Sequence, residues 1–358
     1  MKHYFEIVVL LLTSCGCTVQ TSGDRATDDP ESEAVEIHLE RQSAGTESLL
    51  VAIHAIDSRR AWTAGTGGTY AWTDDGGQSW NSGVVAGADS LQFRDVFAPT
   101  LEEAFVLSIG PGDASRIYHT NDRGRTWEMQ YAATREDVFF DCFAFWNEDV
   151  GIAFSDAVDG GFPMIVTTDG GSTWYDLENG PDAQENEGGF AASGTCVVAL
   201  GDETVLVGTG NAERARVLRS ENRGATWQVH ETPMAAGEAA GITSFAFRDE
   251  LHGVALGGDI ANPDAFTDNV ATTSDGGRTW TSGHGTPFPG AVYGSDYAPD
   301  TRLLVAVGPG GAAVSSDDAQ TWSDLDSLTH WSVDFGSPSS GWMVGPEGRI
   351  TRIRIDWE

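Results

Sequence analysis

One eight-residue pattern, Ser/Thr-x-Asp-x-Gly-x-Thr/Ser-Trp, recurs along this chain and limits what it can fold into more than any other feature. Full copies run Thr73 to Trp80, Thr120 to Trp127, Thr167 to Trp174 and Thr273 to Trp280. Two are degraded: Ser220 to Trp227 carries Asn222 in place of the Asp, and Ser315 to Trp322 carries Ala319 in place of the Gly. Asp75, Asp122, Asp169, Asn222, Asp275 and Asp317 thus occupy one structural position. A carboxylate there accepts hydrogen bonds from backbone N–H groups of its own turn, and the Gly two residues later permits positive φ. The flanking hydroxyls tie down remaining turn groups, and the Trp supplies a large apolar ring for packing between repeats. Each copy therefore reads as a stapled β-hairpin turn.

The closing Trp residues are spaced by 47, 47, 53, 53 and 42 residues. That period suits a four-stranded propeller blade. In blade one, Leu50–Ile56 reads as the inner strand, followed by Ala61–Ala64, Tyr70–Thr73 and Trp80–Val85. The cycle restarts at Phe93, Phe139, Phe190, Gly241 and Ala291. Beyond the sixth turn, His330–Phe335, Gly341–Gly345 and Arg349–Ile355 form three strands of a further blade that lacks its outer strand. An unpaired edge is an association hazard. The alternating segment Glu33–Arg41 has no other place, so it is expected to complete that blade and close the ring. The fold class is all-β: a seven-bladed β-propeller of four-stranded antiparallel blades spanning 34–358. Helical periodicity is nearly absent.

The octapeptide resembles the Asp-box, or BNR repeat, of bacterial sialidases, xyloglucanases, sortilin-type receptors and photosystem II stability/assembly factors. The resemblance implies that the box is a structural turn between the two outer strands of a blade, on the face opposite the ligand site. It speaks for fold and hardly at all for chemistry. The assembly-factor-like propellers bind other proteins, so the resemblance implies a binding role more readily than catalysis.

Formal net charge is −34, and Lys2 is the only lysine. Nucleic-acid binding is disfavoured, because a phosphate backbone needs a basic face. Such a surface serves solubility and hydration, including adaptation to high salt; the sharper alternative is cation binding. No metal site and no cofactor is expected. Residues 1–14 read as an export signal, with Lys2 in the n-region and a short apolar run Ile7–Leu12. Leu12-Thr13-Ser14-Cys15 resembles a bacterial lipobox, which implies lipidation of Cys15, membrane contact through that anchor alone, and an extracytoplasmic location in the periplasm or on the cell surface. Residues 15–33 read as a flexible acidic tether. Cys17 has no evident partner. Cys142 and Cys196 could form a disulfide in an oxidising compartment, but both fall in expected innermost strands of neighbouring repeats, where the separation strains a bridge, so two buried free thiols are the expectation.

The links between strands two and three, and between blades, lie away from the octapeptide turns. They are tight at Gly65–Gly68, Gly308–Gly311 and Gly345–Gly348, but long and polar at Ser108–Ser115, Ser155–Pro163, Gly208–Ala215 and Gly257–Asn269. Glu178–Gly189 and Thr232–Ala240 elaborate the same side. Loops on a rigid scaffold are where binding groups are usually hung. Candidate ligand-binding residues are Arg94, Asp95, Asp141, Asp156, Arg216, Asp259 and Asn262. In so acidic a chain, turn capping is the plain role for each carboxylate, and Arg94–Asp95 suits an ion pair as well as an anion clamp.

Two functions compete. A non-catalytic propeller would bind a protein or glycan partner as a monomer. A glycoside hydrolase would need facing carboxylates, for which Asp95, Asp141 and Asp259 are the candidates. A sialidase-like site further needs an arginine cluster, and the Arg-Ile-Pro motif that usually accompanies it is absent. Gly-x-Ser-x-Gly, His-Glu-x-x-His, Walker and Gly-x-Gly-x-x-Gly motifs are absent as well.

Overall fold

The octapeptides close into hydrogen-bonded staples. In the first, Asp75 accepts from the Ser79 N–H at 3.0 Å and the Ser79 hydroxyl at 2.7 Å, while the Gly77 N–H donates to Thr73 Oγ1 at 2.9 Å. In the degraded copies the staple survives. Asn222 Oδ1 accepts from the Thr226 N–H at 2.8 Å, and Ala319 takes φ 63° where glycine stands in the full pattern. That left-handed alanine costs roughly 1 kcal/mol. Every staple joins the third and fourth strands of a blade.

The computed structural model describes residues 35–357. The expected export signal, the lipidation residue Cys15, the tether and Cys17 lie outside the described residues. Seven four-stranded antiparallel sheets form the ring. Blade one comprises Leu50–Ala55, Ala61–Gly65, Thr69–Thr73 and Asn81–Val84, each bound within one residue of the sequence reading. The seventh blade takes its outer strand from the N-terminal side. Val35–Ser43 pairs antiparallel with Arg349–Trp357 in continuous register, from Val35 opposite Trp357 to Ser43 opposite Arg349. Its alternation turns Val35, Ile37 and Leu39 inward, where they pack with Val305 and Leu325 of blade six. Ring closure thus follows from period-two patterning.

The hydrophobic core is divided into seven clusters, one in each seam between neighbouring blades. The turn tryptophans fill these seams: Trp127 of blade two meets Tyr70 and Trp62 of blade one at centroid distances of 5.2 and 6.1 Å.

Around the axis, innermost strands are stitched by polar side chains. Asp95 accepts the Phe143 N–H (blade two to three), Asp296 the Phe335 N–H (six to seven) and Asp334 the Ala55 N–H (seven to one), at 2.8, 2.8 and 2.5 Å. Hydroxyls do the same between blades five and six, where Ser244 and Ser295 meet at 2.7 Å.

Two sequence expectations fail together. The inner strand of blade four begins at Val197 (Val197–Leu200), not near Phe190. Residues 190–196 instead run as irregular chain towards the axis. That displacement carries Cys196 to Cys142, and the two form a disulfide with a Cα–Cα distance of 6.1 Å, not a pair of free thiols. The expectation of free thiols assumed two regular inner strands, and only one of the cysteines sits on one.

Candidate functional site

The links that sequence reading marked as long lie together on the face away from the octapeptide turns, and the central funnel opens on that side. The segment before blade four crosses this funnel. Its small residues, Gly188 to Thr195 with Phe190 the exception, let its backbone approach several blades closely. The Ala191 carbonyl accepts from Arg94 of blade two at 3.2 Å, and the Ser193 hydroxyl donates to the Tyr293 carbonyl before blade six at 2.6 Å. Ser332 of blade seven reaches the Ser193 carbonyl at 3.5 Å, and Thr195 bonds Ser244 of blade five at 2.8 Å. At Gly194, φ is +85° and an added Cβ would lie 2.4 Å from Asp95 Oδ1, so only glycine fits. The result is a plug, bonded from side to side.

Four of the candidates gather around it. Arg94 donates to the plug and to Gln92 Oε1 at 2.9 Å, with its Nε buried and without an acceptor among the described residues. Burial holds its guanidinium below the ordinary arginine range. Asp95, no ion pair to Arg94, is the buried stitch to blade three, and burial raises its carboxyl well above the usual value.

Asp141 and Asp156 abut beneath the plug. Asp156 accepts the Gly189 N–H at 3.0 Å, whereas Asp141 Oδ2 is buried and, among the described residues, accepts no hydrogen bond from backbone or from a neutral side chain. Two buried carboxyls in contact cannot both ionise cheaply, so they share a proton. Burial and then the Asp156 charge push Asp141 well up, and burial pushes Asp156 to about 6.

The sign of the pH effect follows. The folded pair holds protons that the unfolded chain releases near pH 4, so stability falls as pH rises through about 4 to 6, where Asp156 gives up its proton, and goes on falling above about 6 for as long as buried Asp141 keeps its own. Asp156→Asn keeps an acceptor for Gly189 and gives Asp141 a permanent donor. It is expected to raise the melting temperature at pH 8, by the equivalent of about 2 kcal/mol, and to flatten the decline between pH 4 and 6. A melting series in the two proteins checks this; an unchanged slope would refute the shared proton.

The other three candidates stand apart from the plug's centre. Arg216 is committed to Glu187, whose side chain has no exposed surface. Glu187 also accepts from the Thr209 hydroxyl at 2.6 Å and the Gln184 N–H at 2.7 Å, which pins the long link 178–189 to blade four. Asp259 and Asn262 occupy the exposed link of blade five, where Asp259 caps its own turn through the Ala261 N–H at 2.9 Å and the Asn262 amide at 2.5 Å.

Sequence reading passed over Glu187, Tyr293 and the plug. The glycine–alanine–serine run was a signal for close backbone approach; a lone glutamate in an acidic link carried none.

Chemically, Asp95 and Asp141 are buried beneath backbone, and Asp259 is on another blade's rim. No two of the three face each other across an open cleft of glycosidase width, which is about 5–10 Å.

No protein-family model matches the sequence, and no curated protein matches it. Among solved structures, similarity extends over nearly the whole propeller. YCF48 bound to a D1 peptide superposes with a TM-score of 0.62 at 18% identity, covering 89% of this chain and 97% of that one. YCF48 from Cyanidioschyzon merolae gives 0.61 at 16%, covering 88% and 98%. The GH74 xyloglucanase from Xanthomonas campestris gives 0.62 at 14%, covering 87% of this chain but 53% of that enzyme, so the chain spans about half its length. At these identities the likeness is one of fold. The chain is a seven-bladed β-propeller.

Proposed function

We propose that this propeller is a non-catalytic, extracytoplasmic module that binds a protein partner on its elaborated face and is anchored through lipidated Cys15. The observation that carries this reading is the plugged funnel: the carboxylates a hydrolase would use are buried under backbone or capping their own loop, while long polar links ring the plug. The octapeptides are read as Asp-boxes, which places the binding face opposite them. The similarity of fold to a YCF48 propeller bound to a peptide supports partner binding. The Cys142–Cys196 bridge supports an oxidising compartment.

The competing reading, a glycoside hydrolase, is tested by turnover. Incubated with xyloglucan or a sialoside, the full chain is expected to release no reducing sugar and no sialic acid. Release that is abolished by Asp95→Ala or Asp141→Ala would overturn the binding reading.

A further inference from the structure

On the elaborated face, a cleft of about 340 Å³ opens between blades two and three. None of the residues considered above as candidates lines it. Its floor is aromatic and aliphatic and mostly buried, and its rim is polar. Tyr131 ends the outer strand of blade two, Phe140 begins the inner strand of blade three, and Phe162, Met164 and Leu177 come from the next strands and links. Tyr131 stands edge-on to Phe140 at 5.7 Å and 86°. The pairing behind it slips by one residue, with Ile117 opposite Tyr131 but Tyr118 opposite Met129, so Gln130 is left over and Tyr131 is turned towards the cleft.

The lip is negative. Arg135, its one cation, is clamped between Asp137 at 2.8 Å and Asp159 at 3.0 Å. Asp176 and Glu178, on the opposite side, have no cationic partner among the described residues. Asp176 also lies close enough to Tyr131 to help hold its phenol above the ordinary range, after burial.

An anion is repelled by such a lip, and a neutral apolar molecule gains nothing from it. A cation with an apolar body satisfies both parts, because the partly exposed Tyr131 ring attracts it electrostatically and uncommitted carboxylates complete the charge. We propose that this cleft binds an organic cation, an alkylammonium or guanidinium head carried on an apolar body, whether free or as the lysine or arginine side chain of a partner. The site stands independently of the partner-binding reading; if that reading holds, the cleft supplies one anchor for it.

The test is a calorimetric titration of the full chain with choline, with its neutral carbon isostere, and with short peptides bearing one lysine or arginine. A cation is expected to bind saturably, at least about tenfold more tightly than the isostere. Tighter binding of the peptides would assign the site to a partner's side chain, and tighter binding of choline to a free ammonium; either supports the site. Asp176→Asn combined with Glu178→Gln should weaken binding about tenfold with the melting temperature unchanged, because both side chains are exposed. Tyr131→Leu should do the same while keeping apolar volume. Absence of saturable binding by every cation, equal binding of the neutral isostere, or binding indifferent to both variants would each overturn the proposal.

Discussion

A chain cut back to begin at Ala44 is expected to lose cooperative melting and to aggregate, although every octapeptide turn is retained. The deleted strand fills the fourth place in blade seven across nine register pairs. It also buries Val35, Ile37 and Leu39 in the seam with blade six. At roughly 1.5–3 kcal/mol for each inward apolar side chain, more than about 5 kcal/mol is lost before the ladder hydrogen bonds are considered. The strand Arg349–Trp357 is then left as an open edge, the template on which chains pair with one another. A synthetic peptide spanning residues 33–43, added in excess, is expected to restore part of the melting transition. Calorimetry and light scattering follow both effects; an unchanged transition in the shortened chain would show that the ring does not depend on this closure.

The second large effect is expected at Arg216→Met. Glu187 is wholly buried, and among the described residues Arg216 is the only cation bonded to it. Arg216 Nε donates to Glu187 Oε1 at 2.8 Å, and its Nη2 donates both to Oε2 and, at 3.0 Å, to the Asp182 carbonyl. Removing one member of a buried pair leaves an uncompensated charge, which costs about 3–5 kcal/mol. A double change, Glu187→Leu with Arg216→Met, is expected to recover most of that loss, since both charges are then gone and the volume is kept. Urea unfolding of the two variants tests this. Equal stability of the single and double variants would mean that the pair contributes only as surface charge.

The turns and strands were legible in the sequence because each carries a local rule. The full octapeptide, with its hydroxyls either side of the aspartate, makes a staple wherever it sits, and alternation in Glu33–Arg41 marks a half-buried strand without reference to its partner. The plug obeys no such rule. Residues 188–195 have neither helical nor strand period, and their shape is set by groups far along the chain, among them Arg94, Asp95, Tyr293 and Ser332. Because the plug was invisible, blade four was started too early and Cys196 was placed on a regular strand, away from Cys142. The candidate residues show the same division. Arg94 and Asp95 on the inner strand of blade two and Asp141 on that of blade three do gather at the axis, because inner strands line it, and Asp156 joins them from the end of blade three's second strand through Gly189. Their environment, buried beneath backbone and partly sharing a proton, depends on a segment that only three dimensions reveal. Glu187 was missed for the same reason: its burial comes from a loop folding back onto Arg216 and Thr209.

The account centres on recognition by the face that bears the long links, and photo-crosslinking from the two faces tests it most directly. Benzoylphenylalanine would replace Phe266, which is 69% exposed on the link of blade five, or, on the opposite face, Gln78 or Arg125 in the octapeptide turns. Each variant, purified as the full chain, is irradiated in a native membrane extract and resolved by mass. A discrete protein adduct is expected from position 266 and none from 78 or 125. Adducts from the turn positions with none from 266 would place the partner on the wrong face and contradict the account.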